Sequence, residues 1–291
     1  MSDQPVRGFV YAATGADYVT LARRSARSLR RVIGDSLPID LFTDATVTDP
    51  VFDRVHSLAT VSRRPKVEAL LNSRFDRTIY LDCDTICIAP IDDIFDILEH
   101  FELAICAEQR RNDQRVRQQH PLGDVPVAFP QPNSGLIGLR KTDATRALLS
   151  EWHRVFHAGA EKYDQHSLRY LLFHSHLRFH TLPVEYNVMF LGTFMGPARG
   201  LAAPRLLHLP KLHQKAPGDP MRPFIVAEEL GPKTVDRLTV TLQEDHTLTR
   251  HVSLTDGAIL KNQPPAAVPS AQPRPLQRLR GQLRERLRRL I

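Results

Sequence analysis

Two carboxylates one residue apart, Asp82 and Asp84, follow the four strand-forming residues Thr78-Ile79-Tyr80-Leu81. Alternate side chains of a straight strand share a face, so both acids are expected to point the same way. Two hard oxygen ligands that close suit Mg2+ or Mn2+. A divalent ion held there can bridge a substrate diphosphate and stabilise it as a leaving group. An isolated Asp-x-Asp is common by chance and reads as a solvated turn; the apolar strand in front of this one puts a metal site on an equal footing with that turn. Other residues could serve the same chemistry. Lys66 could offset diphosphate charge, or be a solvated lysine at a helix start. Asn133-Ser134-Gly135 offers an amide, a hydroxyl and a glycine that lets a ligand approach the backbone. Asp17 could accept a bond from a ribose or base and Tyr18 could stack on a base; alternatively they form a helix start and a core anchor.

The elements that must position these residues alternate. Gly8–Ala13 reads as a buried strand, and 17–32 as a helix with Val19, Ala22, Ala26, Leu29 and Ile33 on one face. Pro38–Thr43 is a second strand ending at Asp44. A short helix spans Pro65–Leu71, with proline at its start. After the Asp-x-Asp come a helix over Ile91–Leu98, a strand over Glu102–Ala107 and another around Leu136–Leu139. Helices are expected at Asp143–Phe156 and Gln165–Phe173, and a late strand at Arg205–Leu209. Residues 109–132 are polar and aperiodic, a candidate lid. This rhythm predicts an α/β domain with a mostly parallel central sheet and helices on both faces, whose ligands bind at the carboxyl ends of strands.

The chain of 291 residues is 42% apolar and 24% charged, enough for one large core or two small ones. No apolar run is long enough to span a membrane, and Met1-Ser2-Asp3-Gln4-Pro5 does not start a secretory signal. Cys83, Cys87 and Cys106 are too few and too oddly spaced for a disulfide framework or a zinc site, so a cytoplasmic location is expected. The net charge of +7 is lopsided. Residues 274–291 hold seven arginines against Glu285, or +6, which leaves +1 for everything before them. The main domain is therefore not a nucleic-acid binder by composition. Leu276, Leu279, Leu283, Leu287 and Leu290 recur at helical spacing among the arginines, and five prolines lie between 262 and 275. The expected organisation is a domain over 1–261, a linker over 262–275 and a basic amphipathic helix over 276–291. Through 274–291 the protein would sit peripherally on an anionic membrane surface, at roughly 1 kcal/mol per arginine; the plain alternative is a helix packed on the domain through its leucines with its arginines solvated.

The order and spacing of these pieces resemble the GT-A glycosyltransferases, nearest family 8, over residues 8–216. Phe9–Ala13 with Asp17-Tyr18 resembles the family's nucleoside-binding opening, Leu41-Phe42-Thr43-Asp44 the end of its second strand, and Asp82-Cys83-Asp84 its signature. Lys66, Asn133-Ser134-Gly135, Asp164-Gln165, Leu182–Asn187 and Leu207-His208 follow in the family's order. The resemblance implies a GT-A fold and transfer of a hexose from a nucleotide-diphosphate sugar, such as a UDP-sugar, to a glycan or lipid-linked acceptor. It implies nucleotide contacts from Ala12, Asp17, Tyr18, Lys66, Asp82 and Cys83. Sugar contacts would come from Asn133, Ser134, Asp164 and Gln165. Mn2+ or Mg2+ would be held by Asp82, Asp84 and His208, with His213 as a rival. Asp164 and Gln165 would be catalytic, by double displacement or by a front-face route, both with retention; the plain alternative is that Asp164 caps a helix. The run from His208 lacks the family's glycine and its lysine comes one position late, so Lys211 and Lys215 are both candidates for the diphosphate.

Two other readings are open at this point. Leu81-Asp82-Cys83-Asp84-Thr85 also resembles the opening of haloacid-dehalogenase phosphatases, in which Asp82 would be a nucleophile toward phosphorus. A non-catalytic nucleotide-sugar binder docked to a membrane by its tail is the second.

Overall fold

The computed structural model describes residues 5–59, 64–158, 163–195 and 200–262. Apart from Asn262, the expected linker and basic helix lie outside these residues. In chain order the elements are β1 (Arg7–Ala13), α1 (Ala16–Ile33), β2 (Ile39–Thr43), β3 (Arg54–Ser57), α2 (Lys66–Leu71), β4 (Arg77–Leu81), β5 (Thr85–Cys87), α3 (Ile94–His100) and β6 (Leu103–Ala107). Then follow α4 (Gln114–Arg117), β7 (Pro132–Arg140), α5 (Asp143–Ala158), α6 (Gln165–His174), β8 (Phe179–Leu182), β9 (Leu206–His208), α7 (Val226–Glu229), α8 (Pro232–Glu244), β10 (Arg250–Val252) and β11 (Ile259–Lys261).

Seven strands form one sheet in the order β3-β2-β1-β4-β7-β6-β8. Only β7 runs against its neighbours, pairing antiparallel with β4 and β6. The sheet is buried on both faces, which is why its strands read as continuous apolar runs. From β1, Phe9 and Tyr11 enter the core under α1 and α3, while Val10 and Ala12 face α2, α5 and α6. On that second side Leu148, Leu149 and Trp152 of α5 are buried, each stabilising the fold by roughly 1.5–3 kcal/mol. β2 and β3 lie on one side of β1, and β4 with the remaining strands on the other. Such a reversal opens a crevice outside the carboxyl ends of β1 and β4. Asp82-Cys83-Asp84 enters it directly from β4, and the Cys83 thiol reaches the Ala12 carbonyl across it at 3.3 Å.

Some elements depart from the sequence expectation. The aperiodic stretch contains α4 and ends a residue early, because Pro132 opens β7 and Asn133-Ser134-Gly135 lie within that strand. β3, β5, β8, β10, β11, α7 and α8 add to the expected set. β5 and β9 leave the main sheet and pair with each other.

Candidate active site

Beyond Leu81 the backbone turns out of the sheet. The Asp82 N–H still donates to the Gly135 carbonyl (2.9 Å), and Thr85 Oγ1 donates to the Asp82 carbonyl (2.7 Å), closing the turn before β5. β5 then runs antiparallel to β9 with Thr85 opposite His208. That register sets the imidazole beside the acids: His208 Nε2 is 3.3 Å from Asp84 Oδ1 and 3.9 Å from Asp82 Oδ2. The donor atoms of Asp82, Asp84 and His208 all lie within 4.8 Å of one another, the only such trio of His, Cys, Asp or Glu among the described residues. Two carboxylate oxygens and one imidazole nitrogen fit a divalent cation. His213 is not in the trio. Its Nε2 meets Asp84 Oδ2 at 2.9 Å, and its ring packs on Tyr18, 4.8 Å between centroids.

A backbone amide determines which nitrogen of His208 is free. The Gly135 N–H donates to Asn133 Oδ1 (3.0 Å), so that atom is an acceptor. The Asn187 group facing it at 2.9 Å must then be its NH2. Asn187 Oδ1 is thereby turned to His208 Nδ1, 3.0 Å away, and accepts its N–H. Nε2 is therefore the nitrogen that faces the two carboxylates, and once its proton is lost it can serve as a metal ligand. Gly135 makes room for this ring: a Cβ there would lie 2.3 Å from His208 Cε1. Its role is to admit the histidine, not to let a ligand reach the backbone.

Lys66, the first residue of α2, is only 3% exposed. Its ammonium lies 3.0 Å from Asp82 Oδ1, 3.4 Å from Asp164 Oδ2 and 3.0 Å from both Ser134 oxygens. Burial works to lower its pKa, but Asp164 and Asp82 outweigh that and raise it, so the lysine is charged. Burial likewise works to raise the Asp164 carboxyl, and Lys66 more than offsets it, holding the carboxyl below its usual range. Asp164 precedes α6 but makes no side-chain cap bond. Its carboxylate goes to Lys66 and Ser134 instead, while the Trp152 indole N–H grips its carbonyl at 2.9 Å. For Asp84, burial pushes upward and His208 and His213 pull the carboxyl far below the ordinary value. For His208, burial pushes downward and Asp84 raises it above the ordinary value. Cys83, 5% exposed, is a buried thiol whose pKa burial drives well above normal, so it is neither nucleophile nor ligand.

Lys66, Asp82, Asp84, Ser134, Asp164, Gln165, His208 and His213 line one cavity of about 230 Å3. Asn133 stands behind it in the hydrogen-bond relay, and Ala12 and Cys83 are buried and do not line it. Asp17 lies on the exposed first turn of α1. The structure does not bring Lys211 and Lys215 to the cavity, since both bind Glu229, through its carbonyl and its carboxylate. Sequence reasoning missed Glu108, which accepts from Asn133 Nδ2 and Gln165 Nε2, each at 3.1 Å. Burial raises its carboxyl pKa. Its signal was its place just past the carboxyl end of a strand. Asn187, Arg110 and Arg115 were also missed.

A family model described as nucleotide-diphospho-sugar transferase matches residues 20–208, about two thirds of the chain. The chain belongs to that family. Two solved structures agree with it in fold. The glycosyltransferase GlyE of Streptococcus pneumoniae TIGR4 is 19% identical, with a TM-score of 0.52 over 83% of this chain and 63% of GlyE. The bifunctional glycosyltransferase WbbM, in its apo form, is 15% identical, with a TM-score of 0.51 over 82% of this chain and 50% of WbbM. The galactosyltransferase LgtC, solved with donor and acceptor sugar analogs, is 14% identical, with a TM-score of 0.49 over 83% of this chain and 96% of LgtC. The chain thus spans about half to two thirds of the length of GlyE and WbbM. No curated protein matches it. This transferase therefore has the GT-A fold, resembles family 8, and is a nucleotide-diphospho-sugar glycosyltransferase with a candidate Asp-Asp-His metal site. The phosphatase reading falls with the family assignment. No helix among the described residues is long and apolar enough to cross a membrane.

Proposed function

We propose that this transferase moves a hexose from a UDP-sugar to a hydroxyl of a glycan or lipid-linked acceptor, with retention. The observation that carries the reading is the Asp82–Asp84–His208 trio facing Asp164 and Gln165 across one cavity. Mn2+ or Mg2+ held by the trio would supply positive charge to the leaving diphosphate. About 230 Å3 is less than the roughly 300–1,000 Å3 of a whole small-molecule site, which suits the sugar and diphosphate with the nucleoside outside. Tyr18, 47% exposed and stacked on His213, offers the nucleoside a platform beside the trio. Asp17 serves the ribose. Ala12 and Cys83, buried and off the cavity wall, act only through packing.

Asp164, Gln165, Asn133 and Ser134 orient the sugar. The Asp164 side chain is 5% exposed and ion-paired with Lys66, an environment for a fixed positioning carboxylate rather than an attacking one. This favours the front-face route: the bond from C1 to the phosphate oxygen breaks, the acceptor oxygen bonds to C1 on the same face, and the leaving phosphate takes the acceptor proton. Lys66 keeps Asp164 ionised and bridges it to Asp82. With Lys211 and Lys215 engaged by Glu229, contact with the diphosphate would require them to leave that residue. The protein works in the cytoplasm, attached to the inner membrane face through 274–291.

The deciding experiment is thermal unfolding against a nucleotide-sugar panel, with and without Mn2+. A ligand at 100 times its Kd adds about 2.7 kcal/mol, a visible rise in Tm. A metal-dependent rise confined to uridine donors is expected. No rise with any nucleotide sugar would sink the proposal, and a rise without sugar transfer or donor hydrolysis would favour the non-catalytic binder.

A further inference from the structure

We infer that the acceptor of this transferase is anionic, with a phosphate or carboxylate near its accepting hydroxyl that seats against Arg110 and Arg115. This rests on the proposed transfer reaction and names the substrate class of the same site. The cavity has two ends. One is the trio at the carboxyl end of β4. The other lies beyond the carboxyl end of β6, two strand positions away, or about 10 Å at the usual interstrand spacing. The donor diphosphate belongs to the first end, where the trio is, so the second is left for the acceptor.

Residues 109–117, which follow β6, carry Arg110, Arg111, Arg115 and Arg117 against Asp113 alone, a net +3. The whole chain before the tail carries +1, so this segment is locally and strongly basic. All four arginines are exposed, and Arg110 and Arg115 line the cavity.

The arginines stand on a built platform. Gln109 ties the segment to the opposite wall with three hydrogen bonds: its Oε1 accepts from the Met189 and Phe190 amides (2.8 and 2.9 Å) and its Nε2 donates to the Phe190 carbonyl (3.1 Å). This fixes the Phe190 ring beneath the Arg110 guanidinium, 3.7 Å from the ring centroid. A guanidinium resting on an aromatic face keeps its edge N–H groups for an anion. Arg115 is held by its carbonyl to His166 (2.6 Å) and lies over Tyr163. Its one carboxylate partner, Asp113 at 3.4 Å, leaves its side chain 60% exposed. Glu108 lines the same end of the cavity and feels the Arg115 charge, but its Oε1 is taken up by the Asn133 and Gln165 amides, and no carboxylate contacts the Arg110 guanidinium among the ion pairs of the described residues, so an acceptor carboxylate or phosphate completes the set.

The test uses the full chain loaded with Mg2+ and UDP, which occupy the donor end. Methyl glucuronide, glucose 6-phosphate and the neutral methyl glucoside are titrated, with binding read by ligand-observed NMR. At least one anion should bind the wild type at least about tenfold more tightly than the glucoside, without displacing UDP. Arg110→Gln with Arg115→Gln should abolish that preference at unchanged Tm and UDP affinity, and 0.5 M salt should weaken it. Which anion binds separates a phosphate-bearing from a carboxylate-bearing acceptor. Anions binding no better than the glucoside, or equally well to the double variant, would overturn the proposal. So would anions that compete with UDP, since the arginines would then belong to the diphosphate. If UDP itself fails to bind with Mg2+, the transferase reading fails instead.

Discussion

Asn187 Oδ1 accepts the Nδ1–H of His208 at 3.0 Å, and the orientation of that amide is fixed two bonds away by the backbone N–H of Gly135. The free nitrogen of a candidate metal ligand is thus set by the main chain of β7. Asn187→Leu should leave the imidazole without its partner and weaken Mn2+ binding by about 10–100-fold. Asn187→Asp still accepts from Nδ1 but sets its second oxygen against Asn133 Oδ1, so it should recover the lost affinity only in part. Nitrogen NMR of the metal-free imidazole reads the tautomer directly, and manganese EPR gives the affinity.

Removing a ligand should act more strongly. Asp84→Ala is expected to reduce Mn2+ affinity by more than ~100-fold and turnover to the assay floor, with the circular dichroism spectrum unchanged. Full activity from a folded Asp84→Ala protein would remove the metal-site assignment.

Gly135→Ala drives a methyl into the His208 ring. Overpacking of this kind costs about 1–3 kcal/mol. The Tm should fall, and Mn2+ affinity should fall with it because the ring must move. A normal Tm with normal metal binding would contradict the packing described here.

Metal binding should depend on pH with a definite sign. His208 has a raised pKa, chiefly because Asp84 overcomes the effect of burial, so its Nε2 is protonated to a higher pH than in a free histidine. The cation must displace that proton. Mn2+ affinity should therefore fall as pH drops through a midpoint above the ordinary 6.5 of histidine, and calorimetry in two buffers should detect proton release.

Lys66→Met should be costly, since it leaves Asp82 and Asp164 without their shared cation. Breaking a buried pair by removing one partner costs about 3–5 kcal/mol. The sign of its pH dependence follows from the depressed Asp164 pKa, whose stabilisation is present above the unfolded value and lost as pH falls through the folded one. The gap in Tm between wild type and variant should be widest near neutrality and narrow in acid.

Much of the fold was legible because its central strands are buried on both faces. Gly8–Ala13 and Thr78–Leu81 are apolar runs that hardly admit another reading, and the helices following them carry clear stripes. Asp82, Asp84 and Asp164 could be singled out because each follows or begins such an element. The three-residue β5 and β9 were harder: neither is long enough to show a period, and only their pairing explains why His208 reaches both acids while His213 meets Asp84. Lys66 read either as a diphosphate partner or as a solvated lysine, because a single sequence does not show that two carboxylates from distant segments converge on it. Asn187 and Glu108 escaped notice for the same reason.

The short ribbon of β5 and β9 has a consequence for biosynthesis. It joins residues separated by some 120 positions, so the metal site is a contact of very high sequence separation. Such contacts form late, after local structure and the closure of a long loop. As the chain emerges, Asp82 and Asp84 are present long before His208 is made. The trio can close only once the segment around 206–208 has docked. Nascent chains ending before residue 206 should therefore lack the tight manganese site, even where β1 to β7 have already paired.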